Sequence, residues 1–504
     1  MRADHKPESP TAALDAPPVR FDWLLEELPG GPWSVDLRAA VCQGIKTLGW
    51  EAVARGDFGE LESLYRDVVS ILPRLLVDRS DADRAADLYT LAHIMLWRRT
   101  QLLSELASFN ADVVKPFVAY LDCHFAKAPA RPMIRDVPRI AYLSETSDLF
   151  GSNAVARITV SLMLGQNELR PIPERPILYC INRPAEDLNA FAREHGLPVR
   201  DMARPTPLQS VEAIIAQLVA DDIDILIADS NCAVATMVMQ RRPARVQAFH
   251  ENGFAPWAIP ELDLAFMGIT KPSPGLFDAR VDMVQTPRNT AFVFQKSDRP
   301  ADIVEAVRKA ILTGSGVPRP SVVYGFYGRM AKITTAYMAA VEAILLRDPR
   351  AIFFAGGTGC ISPIVAYRER SKVADQMVIY NAFIDGHVVA ECLDVFLDSF
   401  PFPGGMSCIE VQARGVPVVW MAAPESDRMS IIDDQRDECL KAHNTYNYAK
   451  LASRLADPAE RAVRADTARA IAHRFSDMRG QAEQVEGHLK EVWTRARQQG
   501  TVGA

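Results

Sequence analysis

The sequence predicts an α/β protein in which two Rossmann-like domains, each built on a doubly wound parallel sheet, follow an all-helical N-terminal domain. Three observations predict it. From residue 139 onward, short and continuously apolar runs alternate with helical stretches, the pattern of parallel strands buried on both faces. The alternation pauses at the Gly/Pro-rich stretch Leu312–Pro320 and then resumes, which divides it into two domains. Before residue 127 the apolar residues recur at helical spacing instead.

The elements follow in order. Residues 1–20 (MRADHKPESPTAALDAPPVR) are polar and Pro-rich and are expected to be a disordered tail. They contain no apolar core of a secretory signal. Residues 21–130 form the helical domain. Within it, Ser80-Asp81-Ala82-Asp83 looks like a capping-box start, and Ala86, Leu88, Leu91, Ile94, Met95 and Leu102 form one apolar stripe. No fixed-period repeat is evident, which argues against a tetratricopeptide array. The Pro-rich AKAPARPMIRDVP marks the boundary. The first Rossmann-like domain, 131–312, then reads RIAYLS, PILYCI, DILIAD, RVQAFH, DLAFM and AFVFQ as strands. The second, 313–478, reads SVVYGF, AIFFAG, QMVIY, DVFLD and VPVVW. Residues 479–504 are expected to be a terminal helix and tail.

A chain of 504 residues is too long for one ordinary core. Its 48% hydrophobic and 24% charged residues are the composition of a soluble globular protein, and its net charge of −7 argues against a nucleic-acid binder. The eight cysteines are scattered with no CxxC, which fits a reducing compartment and gives no zinc pattern. No apolar run is long enough for a membrane span. A cytoplasmic protein is expected.

Ligand-bearing loops in such sheets lie at the carboxyl ends of strands. The clearest is FPFPGGMSCIEVQARGVPVVW, Phe400–Trp420, which follows DVFLD. Gly404 and Gly405 precede a predicted helix, and the amides of Gly405, Met406 and Ser407 would be free to meet an anion. Glu410, one turn on, would reach a hydroxyl near it. Lys332, after the strand SVVYGF, sits near a helix N-terminus, where the dipole does not favour a cation, so a negatively charged partner is expected. AIFFAGGTG lacks the GxxxxGK[ST] of a P-loop, which excludes that class of ATPase. His387 follows Asp385-Gly386 at a predicted helix start. In the first domain, His250 and Glu251 end the strand RVQAFH, and SETSDLFGSNAV carries Asp148, Gly151 and Asn153 in the first strand-to-helix loop.

Taken in order, YGRMAKIT and then DGHVVAECLDVFLDSFPFPGGMSCIEVQARGVPVV resemble the C-terminal half of the O-GlcNAc transferase family and its bacterial HMW1C-like protein glycosyltransferase relatives. DIDILIAD, RRPARVQAF and GITKPSPG add weaker support, and the resemblance covers about residues 139–495. It implies the GT-B glycosyltransferase fold. It implies that Lys332 holds a nucleotide diphosphate, that the amides of Gly405, Met406 and Ser407, with Gly404 before them, receive the phosphates, that Glu410 binds ribose and that His387 lies near the nucleobase. It implies a nucleotide-diphosphate sugar as donor substrate, a UDP-sugar first, and no other cofactor. The family's ribose acid is usually Asp where this chain has Glu410. The O-GlcNAc branch has His and Thr where this chain has Gly405-Met406, and the family's cleft histidine falls at Asn153 or Ala154.

The paired glutamates that many retaining GT-B enzymes place eight positions apart are missing, since Phe402 stands eight before Glu410. An inverting transferase is therefore expected. No DxD pair stands out for a divalent ion, so no metal is expected. Asp148, His250 and Glu251 are the candidates for orienting or deprotonating the acceptor. The helical domain offers a docking surface for a protein acceptor. The alternatives are a small-molecule, lipid or polysaccharide acceptor, or a non-catalytic scaffold on the same fold.

Overall fold

The computed structural model describes residues 33–56, 58–100, 103–129, 135–150, 154–251, 257–268, 277–294, 301–422 and 436–501. The tail 1–20, Gly151, Asn153 and most of GITKPSPG lie outside the described residues.

The N-terminal part is helical, with helices Val35–Arg55, Phe58–Leu75, Ala82–Arg99, Leu103–Phe109 and Lys115–His124. Ser34 caps the first of these by accepting from the Leu37 amide at 3.2 Å, and Gly56, at φ +72°, ends it. The capping box expected at residues 80–83 is not formed. Asp78 caps a short turn there by accepting from the Ser80 amide, while Asp81 caps nothing. Its carboxylate is buried and engaged by Arg38 at 2.8 Å and Arg84 at 2.6 Å, so it ties two helices together instead.

Both sheets are parallel. The first contains β1 (Ile140–Ser144), β2 (Ile177–Cys180), β3 (Val199–Asp201), β4 (Ile225–Ala228), β5 (Val246–His250), β6 (Leu264–Met267) and β7 (Asp282–Gln285), in the order β3-β2-β1-β4-β5-β6-β7. The second contains β8 (Val322–Tyr327), β9 (Ala351–Gly357), β10 (Met377–Asn381), β11 (Val395–Leu397), β12 (Val418–Met421) and β13 (Lys441–Ala442), in the order β10-β9-β8-β11-β12-β13. The order reverses between β1 and β4 in one sheet and between β8 and β11 in the other. These are the switch points where doubly wound sheets take ligands. β3 and β7 lie at opposite edges, are short and partly exposed, and so lack the apolar run that marks a buried strand.

AFVFQ is not a strand. Ala291–Phe294 forms a turn, fixed by the Ala291 amide donating to Ser161 Oγ at 2.9 Å and the Thr290 amide to the Phe475 carbonyl at 2.8 Å. Its apolar residues are buried for another reason. Phe292 joins the first domain's core, while Val293 packs with Ile409 and Ile471 of the second half of the chain.

Two features decide how the parts move together. First, the helical domain and one face of the first sheet share a single core, which also takes in Phe402 from the second domain. Polar bonds reinforce it: Tyr89 Oη donates to the Asn231 carbonyl at 2.8 Å, and Gln240 Nε2 to Asp122 Oδ1 at 2.6 Å. Second, the C-terminal helix Met478–Thr501 crosses back and packs Ala482, Val485, Leu489 and Trp493 onto the first domain. Arg170 grips Glu486 with two nitrogens at 2.7 Å. No helix among the described residues is long and apolar enough to cross a membrane.

The crossing depends on Gly165. A Cβ there would lie 2.3 Å from the Met478 carbonyl oxygen and 2.9 Å from Ala482 Cβ. Gly165→Ala should destabilise the protein by about 1–3 kcal/mol, as overpacking does. Urea unfolding of the two proteins measures it, and an unchanged midpoint would refute this account of the contact.

Candidate active site

The loops after β8 and β11 meet at the second sheet's switch point. The loop after β11 is built around a buried ion pair. Asp398 Oδ2 accepts from Arg436 Nε at 2.9 Å, and both side chains are almost wholly buried. Asp398 Oδ1 accepts from the Gly404 amide at 2.6 Å, and Arg436 Nη2 donates to the Gly404 carbonyl at 2.8 Å. The pair thus clamps the two peptide groups that flank the Gly404 Cα. A Cβ on Gly404 would stand 2.7 Å from Asp398 Oδ1 and 2.8 Å from Cys408 Sγ, so only glycine fits. The helix Met406–Ala413 starts directly after Gly405 with no side chain capping it. Its first amides and its dipole face the loop.

Cations converge on this loop. Lys332 ends a single turn, Met330–Lys332. Its Nζ donates to the Pro403 carbonyl at 2.7 Å and lies 4.7 Å from the centre of the Phe402 ring. Burial, then the neighbouring Arg329, pushes its pKa from 10.5 down to about 7. The Arg329 guanidinium lies in the corner formed by two rings, 4.7 Å from Phe402 and 4.9 Å from Trp97 of the helical domain. Both of its terminal nitrogens are buried without a hydrogen-bond partner, and burial pushes its pKa down to about 9. Arg288 comes from the first domain. It is fully buried, and its Nη2 approaches to 3.3 Å from where a Cβ on Gly405 would be. Burial pushes its pKa down to about 10, against the opposing charge of Glu251.

Next to this cluster the two domains touch through Arg157. This residue, on the helix Val155–Leu169 above β1, reaches Glu410 Oε1 with Nη2 at 3.2 Å and His387 Nε2 with Nη1 at 3.2 Å. Tyr327, the last residue of β8, donates to the other Glu410 oxygen at 3.2 Å. Both carboxylate oxygens therefore have partners. His387 follows the helix cap Asp385, as expected from its sequence context. Burial lowers its pKa, so its ring is neutral and accepts from Arg157. The structure thus gathers Lys332, Gly404, Gly405, Met406, Ser407, Glu410 and His387 around the loops after β8 and β11, where Arg157 and Arg288 of the first domain meet them.

The other candidates are more dispersed. Glu251 is buried beside Arg288 and so abuts the cation cluster. His250 ends β5 fully buried, with neither ring nitrogen hydrogen-bonded, and burial pushes its pKa down to about 3. Asp148 is partly exposed on the loop after β1. His250 feels the Arg288 charge of the cation cluster, whereas none of the described contacts joins Asp148 to the residues around Gly404. The structure adds a second carboxylate pair at the first sheet's switch point. Asp229, after β4, accepts from Thr159 Oγ1 at 2.6 Å, and its other oxygen is buried without a partner. Burial pushes its pKa up to about 7. Glu145, after β1, accepts from Ser230 Oγ at 2.9 Å, and burial raises its pKa too. Both residues stand at strand ends, which is the sequence signal that could have found them. Arg157, Arg288 and Arg436 carry no such signal, because each is a lone arginine whose importance arises from a contact across the cleft or the loop.

No family model matches the sequence, and no curated protein is similar to it at the sequence level. Solved structures do match. An O-GlcNAc transferase point mutant from Thermobaculum terrenum superimposes with a TM-score of 0.59 at 16% identity, covering 92% of this chain and 93% of that one. Anabaena HepE in complex with UDP-glucose superimposes with a TM-score of 0.50 at 13% identity, covering 70% of this chain and all of that one. The fold is that of a GT-B glycosyltransferase: two facing Rossmann-like domains with a cleft between them. Within that class, this chain's architecture resembles that of O-GlcNAc transferase, helical N-terminal part included.

The ion pair is the keystone of the loop. Asp398→Ala would leave Arg436 buried and unpaired, at an expected cost of about 3–5 kcal/mol. Chemical denaturation reads this directly, and a loss under about 1 kcal/mol would mean the loop holds its shape without the pair.

Proposed function

We propose that the chain is a glycosyltransferase that moves a sugar from a UDP-sugar to an acceptor. One observation carries the reading. Lys332, Arg329, Arg288 and Arg436 converge on the Gly404–Ser407 loop at a helix N-terminus, with Asp398 and Glu251 as the opposing carboxylates. Burying like charges together is unfavourable until an anion joins them. A diphosphate at a strand switch point is the anion that fits the fold.

In this reading Lys332, Arg288 and the amides of Gly405, Met406 and Ser407 stabilise the charge that develops on the leaving diphosphate. Glu410 takes the ribose hydroxyls and His387 lies by the base. The acceptor attacks the anomeric carbon from the first-domain side, with inversion and without a metal. Asp148 is the acceptor-side group that substrate reaches most directly, since His250 and Glu251 are buried. The acceptor is a protein side chain. The fold shared with an O-GlcNAc transferase over 92% of this chain supports that, as does a helical domain large enough to dock a polypeptide.

Isothermal titration with UDP tests the donor site. Wild type should bind, and Lys332→Ala should abolish binding. Because the Lys332 pKa stands near 7 and an anion favours its charged form, affinity should be full below pH 7 and fall as pH rises through it. A second reading, a non-catalytic scaffold, is favoured by the internal partners that Lys332 and Glu410 already have. Wild type that binds no UDP at any pH puts the scaffold first.

Arg157 gives a further expectation. Ribose cannot use both oxygens of Glu410 without displacing Arg157 or Tyr327, and Tyr327 is anchored in the core of its own domain. Donor binding therefore exchanges Arg157 for ribose hydroxyls. Arg157→Ala should tighten UDP binding by roughly fivefold, the equivalent of about 1 kcal/mol for the lost competing contact. Weaker binding would make Arg157 a donor ligand instead.

A further inference from the structure

We propose that the helical N-terminal domain is part of the donor site, and that Trp97 is the positioning residue through which it sets the place and surroundings of Lys332. The assignment of Lys332 to the diphosphate rests on the reading above; the coupling between Trp97 and Lys332 does not.

The contacts form a continuous chain from one domain to the other. Trp97 lies in the last turn of Ala82–Arg99 and is fixed from behind, its Nε1 donating to His93 Nε2 at 2.5 Å. His93 in turn stacks on Phe109 at 5.2 Å. Ahead of Trp97, its ring meets the Phe402 ring edge-on at 6.4 Å. Phe402 is fully buried and belongs to the core of the helical and first domains, although it sits in the loop after β11 of the second. Its ring contacts two cations, Arg329 and Lys332, each at 4.7 Å. The same Arg329 guanidinium also lies against Trp97, at 4.9 Å. Such cation–ring contacts are attractive, and more so when water is excluded.

Trp97 therefore does two things to Lys332. It wedges Phe402 and Arg329 in place, which fixes the floor beneath Lys332 Nζ. It also covers that floor from the helical side, so the partly buried ammonium has the Phe402 ring, the Pro403 carbonyl and other charges among its surroundings. Those charges are Arg329 on its own segment, Asp398 just after β11, and Arg436; the Cys408 thiol on Met406–Ala413 also faces it, kept neutral by burial. From the helical domain, Arg98 and Glu105 act on Arg329. A helical domain that only docked an acceptor would have no reason to place a tryptophan against the phenylalanine and arginine that flank the phosphate-side lysine.

The test reads Lys332 itself without nucleotide. Trace acetylation with acetic anhydride across pH 5–11, followed by peptide mass spectrometry, gives the labelling midpoint of Lys332. In wild type the midpoint should lie well below that of an ordinary lysine. In Trp97→Ala, water reaches the lysine, and the midpoint should rise by about one unit or more. Trp97→Phe, which keeps a ring in place, should stay near wild type. Phe402→Leu removes the shared ring from the loop side and should raise the midpoint as Trp97→Ala does, so a folding defect in one variant leaves the other to decide. Midpoints that stay at the wild-type value in both Trp97→Ala and Phe402→Leu overturn the proposal. UDP titration of the same proteins at pH 6 separates the two readings. A tenfold-order loss of affinity in Trp97→Ala, restored in Trp97→Phe, supports both. A shifted labelling midpoint in a protein that binds no UDP keeps the coupling and removes the donor reading.

Discussion

The architecture around the cleft depends on one electrostatic constraint: several cations must be held together, away from water, before any anion arrives. Lys332, Arg329, Arg288 and Arg436 meet at a single loop, and desolvation disfavours the charged form of each. The chain meets the constraint in three ways. Arg436 is neutralised outright by Asp398, and that pair then clamps Gly404. Arg288 is opposed by Glu251 from its own domain. Arg329 and Lys332 are held directly by aromatic rings and one carbonyl, which attract a cation but do not neutralise it, and Glu105 and Asp398 offset their charges only in part. The least compensated charges are thus the two on the loop after β8, where the sheet order reverses.

The same constraint explains why the second domain gives up Phe402 to the core of the other two parts. A ring that caps two cations must itself be held, and the helical domain supplies the wall. Because that domain shares its core with the first sheet, the two form one body, and the second domain meets that body through Phe402, Arg288 and Arg157. Any opening of the cleft has to move these contacts together. The Met478–Thr501 helix, returning to the first domain, makes a further link that limits the motion.

Much of this was legible in the sequence, and the boundary of legibility has a physical cause. Periodicity exposed the interior strands of both sheets, because parallel strands covered on both faces must be continuously apolar. It missed β3, β7 and β13, which are short edge strands with few apolar residues, and it misread Ala291–Phe294, whose apolar residues serve a domain junction instead of a sheet. The glycines, Lys332, Glu410 and His387 were legible because they follow strand ends or open helices. Asp81 shows the limit of local reasoning: its context reads as a cap, yet a tertiary demand from Arg38 and Arg84 takes its carboxylate. Arg157, Arg288 and Trp97 were illegible, since each acquires meaning only from a residue more than a hundred positions away.

In the proposed donor reading, Lys332 and Glu410 each hold a stand-in for what a nucleotide would offer. Lys332 holds a carbonyl oxygen where a phosphate oxygen would bond, and Glu410 holds a guanidinium where hydroxyls would donate. A neutral carbonyl neutralises no charge, whereas a phosphate does, so exchange at Lys332 favours the anion. At Glu410 the balance runs the other way, because a guanidinium is a stronger partner for a carboxylate than a hydroxyl. Affinity should therefore come from the diphosphate end, while the ribose end charges a toll by breaking a contact between domains. In that reading a nucleoside without phosphates would meet only the toll, and the site would discriminate for the diphosphate before it reads the base.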